Sequence, residues 1–67
     1  MPSLMLNGAP REVPDGTTVL TLLTSLNLHP RRVVVELNGE PLLRDRYADT
    51  PLKTGDKLEI VRAVAGG

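Results

Sequence analysis

Cysteine, phenylalanine and tryptophan are absent from this 67-residue chain, and tyrosine occurs once. Without cysteine there is no disulfide staple, no thiolate zinc site, no iron–sulfur cluster and no thiol nucleophile. A single aromatic ring gives no platform on which bases could stack. Excess charge of either sign is missing as well, since eight Lys plus Arg balance eight Asp plus Glu. That balance removes the long-range attraction on which nucleic-acid and polybasic membrane binding depends. The longest run of large aliphatic residues, Val33-Val34-Val35, is three long, against the ~20 needed to cross a bilayer. Met1-Pro2-Ser3 carries no basic residue and only Leu4-Met5-Leu6 follows, so no signal peptide is read. The expectation is a soluble, cytoplasmic domain that binds neither nucleic acid nor membrane.

What is present is enough to fold. Leu, Val and Ile supply 20 of the 67 residues, above the level typical of disordered chains. The length suits one domain spanning 1–67, and a chain this short leaves little room for a deep, enclosed cavity.

Ser3 to Leu6 runs into Asn7-Gly8, and Arg11-Glu12-Val13 follows, which reads as a β-hairpin. Pro14-Asp15-Gly16 is a second turn. The period then changes: Val19, Leu22, Leu23 and Leu26 share one helical face. Thr18 is the expected N-cap, although Thr21 stands where a full capping box carries Glu or Gln. Asn27 can end the helix in the left-handed conformation, and Pro30 prevents its resumption. A helix of about nine residues is marginal by itself in water, so it must be packed.

Val33 to Leu37 predicts a strand, Asn38-Gly39 a type I′ turn, and Glu40 to Leu43 a short return strand with Pro41 marking an edge. Arg44 to Thr50 reads as polar and irregular, with Tyr47 as a buried plug. Pro51 to Asp56 is a turn, and Lys57 to Val64 alternates as a last strand. A helix that interrupts such strands buries its leucine stripe by covering one face of the sheet. Alternation then turns Met5, Val34, Val61 and Ala63 to the open face, where together they would form a partner-binding patch.

Side chains for chemistry are scarce. His29 is the only histidine and has no second ligand nearby in sequence. Asp45 and Asp49, or Asp56 and Glu59, could be paired carboxylates, but turn-forming and solubilising roles account for them. No catalytic set and no metal site is read, and no glycine falls in a P-loop pattern. The feature left is Ala63-Val64-Ala65-Gly66-Gly67. Two final residues without Cβ make a thin, flexible arm at 65–67 that could thread a narrow site in another protein.

The stretch from Pro51 to Gly67 resembles the end of the ThiS-type sulfur carriers, ubiquitin-like β-grasp proteins of thiamine thiazole synthesis. Leu6-Asn7-Gly8, Asp15-Gly16-Thr17-Thr18-Val19 with Leu22-Leu23, and Val35-Glu36-Leu37-Asn38-Gly39-Glu40 agree with it. The resemblance implies an α+β fold with a mixed four- to five-stranded sheet and one helix packed on one face. It also implies a carrier that is a substrate and not an enzyme. An adenylating enzyme of the ubiquitin-activating type would use ATP to activate the Gly67 carboxylate, and the carrier itself would bind no cofactor stably. A cysteine desulfurase relay would supply sulfur, and thiazole synthase would accept it from a Gly67 thiocarboxylate. In this reading Gly67 bears the sulfur, Gly66 and Ala65 are tail spacers, and Met5, Val34, Val61, Arg62 and Ala63 form the docking surface. The small subunit of molybdopterin synthase, a carrier for another pathway, or a β-grasp interaction module without carrier chemistry are the alternatives.

Overall fold

The structure, a computed structural model, describes residues 1–63 of the chain. Val64 and the expected arm at 65–67 lie outside the described residues. Five described strands form one sheet: β1 (Ser3–Leu6), β2 (Ala9–Glu12), β3 (Val33–Leu37), β4 (Glu40–Leu42) and β5 (Lys57–Arg62). Their spatial order is β2-β1-β5-β3-β4. β5 runs parallel to β1 and antiparallel to β3, so the sheet is mixed. The helix α1 (Val19–Ser25) packs on one face, in the β-grasp arrangement that the resemblance implies.

Both Asn-Gly dipeptides form their hairpin turns with two positive φ angles, 50° and 82° at Asn7-Gly8 and 54° and 86° at Asn38-Gly39. These are the angles that match the right-handed twist of the flanking strands. Pro10 and Pro41 fall on the edge strands β2 and β4, where a missing N–H interrupts no interior ladder.

α1 is stopped at both ends by side-chain and backbone chemistry. The Thr18 hydroxyl accepts from the Thr21 N–H at 3.2 Å, and the Thr21 hydroxyl accepts from the Thr18 N–H at 2.8 Å. The capping box is therefore complete with threonine in place of the expected Glu or Gln, because the short hydroxyl reaches back as well. At the other end Asn27 adopts φ 59°, and the Leu28 N–H donates to the Leu23 carbonyl at 2.9 Å. That pattern closes the helix as a Schellman motif. The helix has seven residues, shorter than the predicted nine, because Leu26 is already its C-cap.

The core joins Leu4, Val13, Val19, Leu22, Leu23, Val33, Val35, Tyr47, Leu52, Leu58 and Ile60. Tyr47 is buried as expected, but its segment is not irregular: Arg44–Asp49 forms a 3₁₀ helix. A second 3₁₀ turn, Pro30–Arg32, precedes β3, with the His29 Nδ1 accepting from the Arg31 N–H at 3.1 Å. β4 stops at Leu42 because Leu43 caps the 3₁₀ helix that follows.

One charged residue departs from its expected role. Asp56 is not a solvated turn residue; it is 5 % exposed. Its carboxylate accepts from the Lys53 N–H at 2.9 Å and from Asn38 Nδ2 at 3.2 Å. Asn38 Oδ1 in turn accepts from the Lys57 N–H at 2.9 Å, fixing the first residue of β5. Asp56→Ala removes the buried carboxylate that both of these part-buried hydrogen bonds share and should cost about 2 kcal/mol, or about 10 °C in Tm for a domain this small. Exposed Glu40→Ala should change stability by less than about 0.5 kcal/mol. Thermal unfolding followed by circular dichroism checks both, and equal Tm values for the two variants would refute the role given to Asp56.

Candidate functional site

β5 is both the middle strand of the sheet and the segment that leads to the C-terminal glycines. It is held over its whole length. Five residues pair with β3, from Val33↔Arg62 to Leu37↔Leu58. On the other side β1 pairs at Met5↔Lys57 and Leu6↔Leu58, and there its backbone ladder ends. The Asn7 side chain continues it: its Oδ1 accepts from the Ile60 N–H at 2.7 Å and its Nδ2 donates to the Ile60 carbonyl at 3.2 Å. Beyond the strand, the Ala63 N–H donates to the Arg32 carbonyl at 2.8 Å. The backbone is thus hydrogen-bonded up to the last described residue.

The expected docking residues do not gather into one patch. Val34 and Val61 are direct cross-strand partners on the open face, 53 % and 62 % exposed. Met5 is on the same face but pairs with Lys57, four residues from Val61, about 13 Å along the strand. Arg62 pairs with Val33, a buried residue of the helix-covered side, so alternation turns it away from Val61. Ala63 lies past the strand and is exposed. Exposed Leu43 follows β4 next to this region of β3; extending the β3–β4 register by one residue sets it opposite Val34. The apolar part of the open face is therefore a short row near the end of β5.

Beside that row stands a feature that sequence reading missed. Glu36 and Glu59 are exposed partners across β3 and β5. Like charges directly opposite one another destabilise a strand pair. No sequence pattern pointed to them, because their meeting depends on a register between strands about twenty residues apart. Among the described residues no three His, Asp or Glu gather as a metal site, and the only ion pair joins the Met1 amino group to Asp15 at 3.0 Å.

Residues 4–67 match the ThiS family, a span that includes both terminal glycines. The chain belongs to the ThiS family. It is similar to the sulfur carrier protein ThiS of Thermus thermophilus, with 37% identity over 92% of this chain and 95% of that one. The crystal structure of the thiamine biosynthesis protein ThiS from Geobacter metallireducens superposes with a TM-score of 0.79 at 39% identity, over 97% of this chain and 99% of that one. A thiazole synthase of Paramagnetospirillum magneticum is 41% identical over 96% of this chain, which spans 20% of that relative's length. As in that crystal structure, the family's β-grasp body is a mixed five-stranded sheet with one helix packed on it. No described helix is long and apolar enough to cross a membrane.

The Glu36–Glu59 pair generates a test of the geometry. Glu36→Lys replaces a repulsive cross-strand pair by an attractive one and should stabilise the domain by about 0.5–1 kcal/mol. Urea unfolding at low salt measures it. A Glu36→Lys variant no more stable than the parent would show that the two carboxylates do not oppose each other.

Proposed function

We propose that this ThiS-family chain carries sulfur as a thiocarboxylate on Gly67. A carboxylate is a poor electrophile until one oxygen is made a leaving group. Attack of the Gly67 carboxylate on the α-phosphorus of ATP, bound by a ubiquitin-activating-type enzyme, would form an acyl adenylate and release pyrophosphate. A persulfide charged by a cysteine desulfurase relay would then add at the acyl carbon and expel AMP, and a second thiol would cleave the resulting acyl disulfide, leaving the thiocarboxylate and a disulfide. ATP belongs to the partner in this scheme.

The observation that carries the reading is the extent of the family match, which runs through Gly66 and Gly67. The geometry adds that the strand leading to them is the central one, paired on both sides. A rigid body with a two-glycine tip suits insertion into a narrow site, since neither residue brings a Cβ. Thiazole synthase is the proposed acceptor. Two relatives bearing that name contain a stretch similar to nearly the whole of this chain within about a fifth of their length. The exposed Val34–Val61 row, with Ala63 and the tail spacers Ala65 and Gly66 beyond it, is the proposed contact with the activating enzyme. Met5 lies too far along the sheet to share the centre of that contact.

Incubation with the cognate adenylating enzyme, ATP and a sulfur source should raise the intact mass by the replacement of one oxygen with sulfur, located by fragmentation at Gly67. Deletion of Gly67 should abolish the gain and leave Tm unchanged. A folded protein that gains no mass with its cognate enzyme would overturn the reading. Val61→Asp, which buries a charge only when the row is covered, should weaken binding to that enzyme about tenfold or more in an equilibrium titration. Unchanged affinity would remove the row from the interface.

A further inference from the structure

The chain has no net charge, yet its cations are not evenly spread. A groove of about 530 Å³ opens where β5 ends, lined in part by His29, Arg31, Arg32, Arg62 and Ala63, with Leu28 and Val33 as its apolar floor. Its three arginines are all exposed. Arg44 lies close by, its Nε donating to the Pro30 carbonyl at 3.3 Å. Four of the eight basic residues are thus collected at one end of the molecule. Among the described residues none of the four has a carboxylate within ion-pair distance.

The groove is separate from the Val34–Val61 row. Arg62 and Val33 are register partners on the helix-covered side of the sheet, whereas Val34 and Val61 face the other way. The Ala63 N–H bonded to the Arg32 carbonyl marks the boundary between the two. Whatever takes in the segment after Ala63 must therefore pass beside the arginines. A short-lived docking of a neutral domain gains no steering from its overall charge, but a local cationic cluster can supply it.

We propose that this arginine groove is the electrostatic docking site for an acidic protein surface that borders the active-site entrance of the adenylating partner. The inference rests on the carrier reading above and adds the chemistry of the partner's rim. Guanidinium groups favour carboxylates because the planar fork meets two oxygens at once. Gly67 is four residues beyond Ala63, so the groove stands up to about 14 Å of extended chain away from the atom that reacts. The exposed arginines are outside the core, so their replacement should leave the fold intact.

Association of the full chain with the cognate adenylating enzyme, without ATP, is measured by stopped-flow at low and high salt. Arg31→Glu with Arg32→Glu should slow association about tenfold or more at low salt, with the difference shrinking as salt rises. Arg11→Glu with Lys53→Glu changes the net charge equally, but sits on the opposite edge strand and in the loop before β5; it should have a much smaller effect. Arg31→Lys with Arg32→Lys should keep most of the wild-type rate. If both glutamate pairs slow association equally, or neither does, while the wild type still acquires sulfur, the groove has no such role and the carrier reading stands. A wild type that neither binds nor acquires sulfur overturns both.

Discussion

Everything in this molecule depends on how its last described strand is held at the centre of the sheet. β5 has neighbours on both sides, but while β3 pairs with five of its residues, β1 pairs with only two. Two asparagines supply the difference. Asn7 extends the ladder of β1 by bonding both the N–H and the carbonyl of Ile60, and Asn38 fixes the start of the strand through Lys57 and the buried Asp56. Both residues already occupy left-handed positions in hairpin turns. Each therefore serves twice: its backbone makes the turn, and its side chain clamps a strand that is about 20 or about 50 residues away in sequence.

That clamp explains why the same end of the domain offers two different surfaces. A strand alternates its side chains, so a rigid end presents Val61 to one face and Arg62 to the other. The apolar row and the arginine groove are consecutive residues of one strand, seen from opposite sides. A loosely held end would mix them and present neither reliably. An exposed apolar pair gives area to bury, and charges at its margin act earlier, during approach.

Much of this was legible in the sequence because the signals were local. Asn-Gly named both hairpins, the spacing of Val19, Leu22 and Leu23 named the helix, and Asn27 named its end. Alternation in β5 correctly turned Val61 to the open face. The failures were of register and reach. Met5 and Val61 are on one face by parity, but only the pairing of β1 with β5 shows how far apart they are. Asp56 looked solvated because its partners, Asn38 and the Lys53 amide, meet it only after folding. The 3₁₀ segments went unread since they lack a long periodic stripe; Tyr47 alone betrayed one. The arginine groove was not legible: Arg31 and Arg32 are neighbours in sequence, but their meeting with Arg62 is a product of the β3–β5 register.

The position of β5 also bears on the birth of the protein. The strand in the middle of the sheet is the one synthesised last among those described, and its contacts reach back to Asn7. A nascent chain that has displayed β1 to β4 still has two hairpins with no strand between them, since β1 and β3 are joined in the sheet only through β5. Isolated hairpins of this kind are marginal in water. The domain therefore cannot complete its fold piecemeal on the ribosome; it assembles in one step when nearly the whole sequence is available. A chain cut short before Lys57 would lack the centre of its sheet, and would be material for proteases.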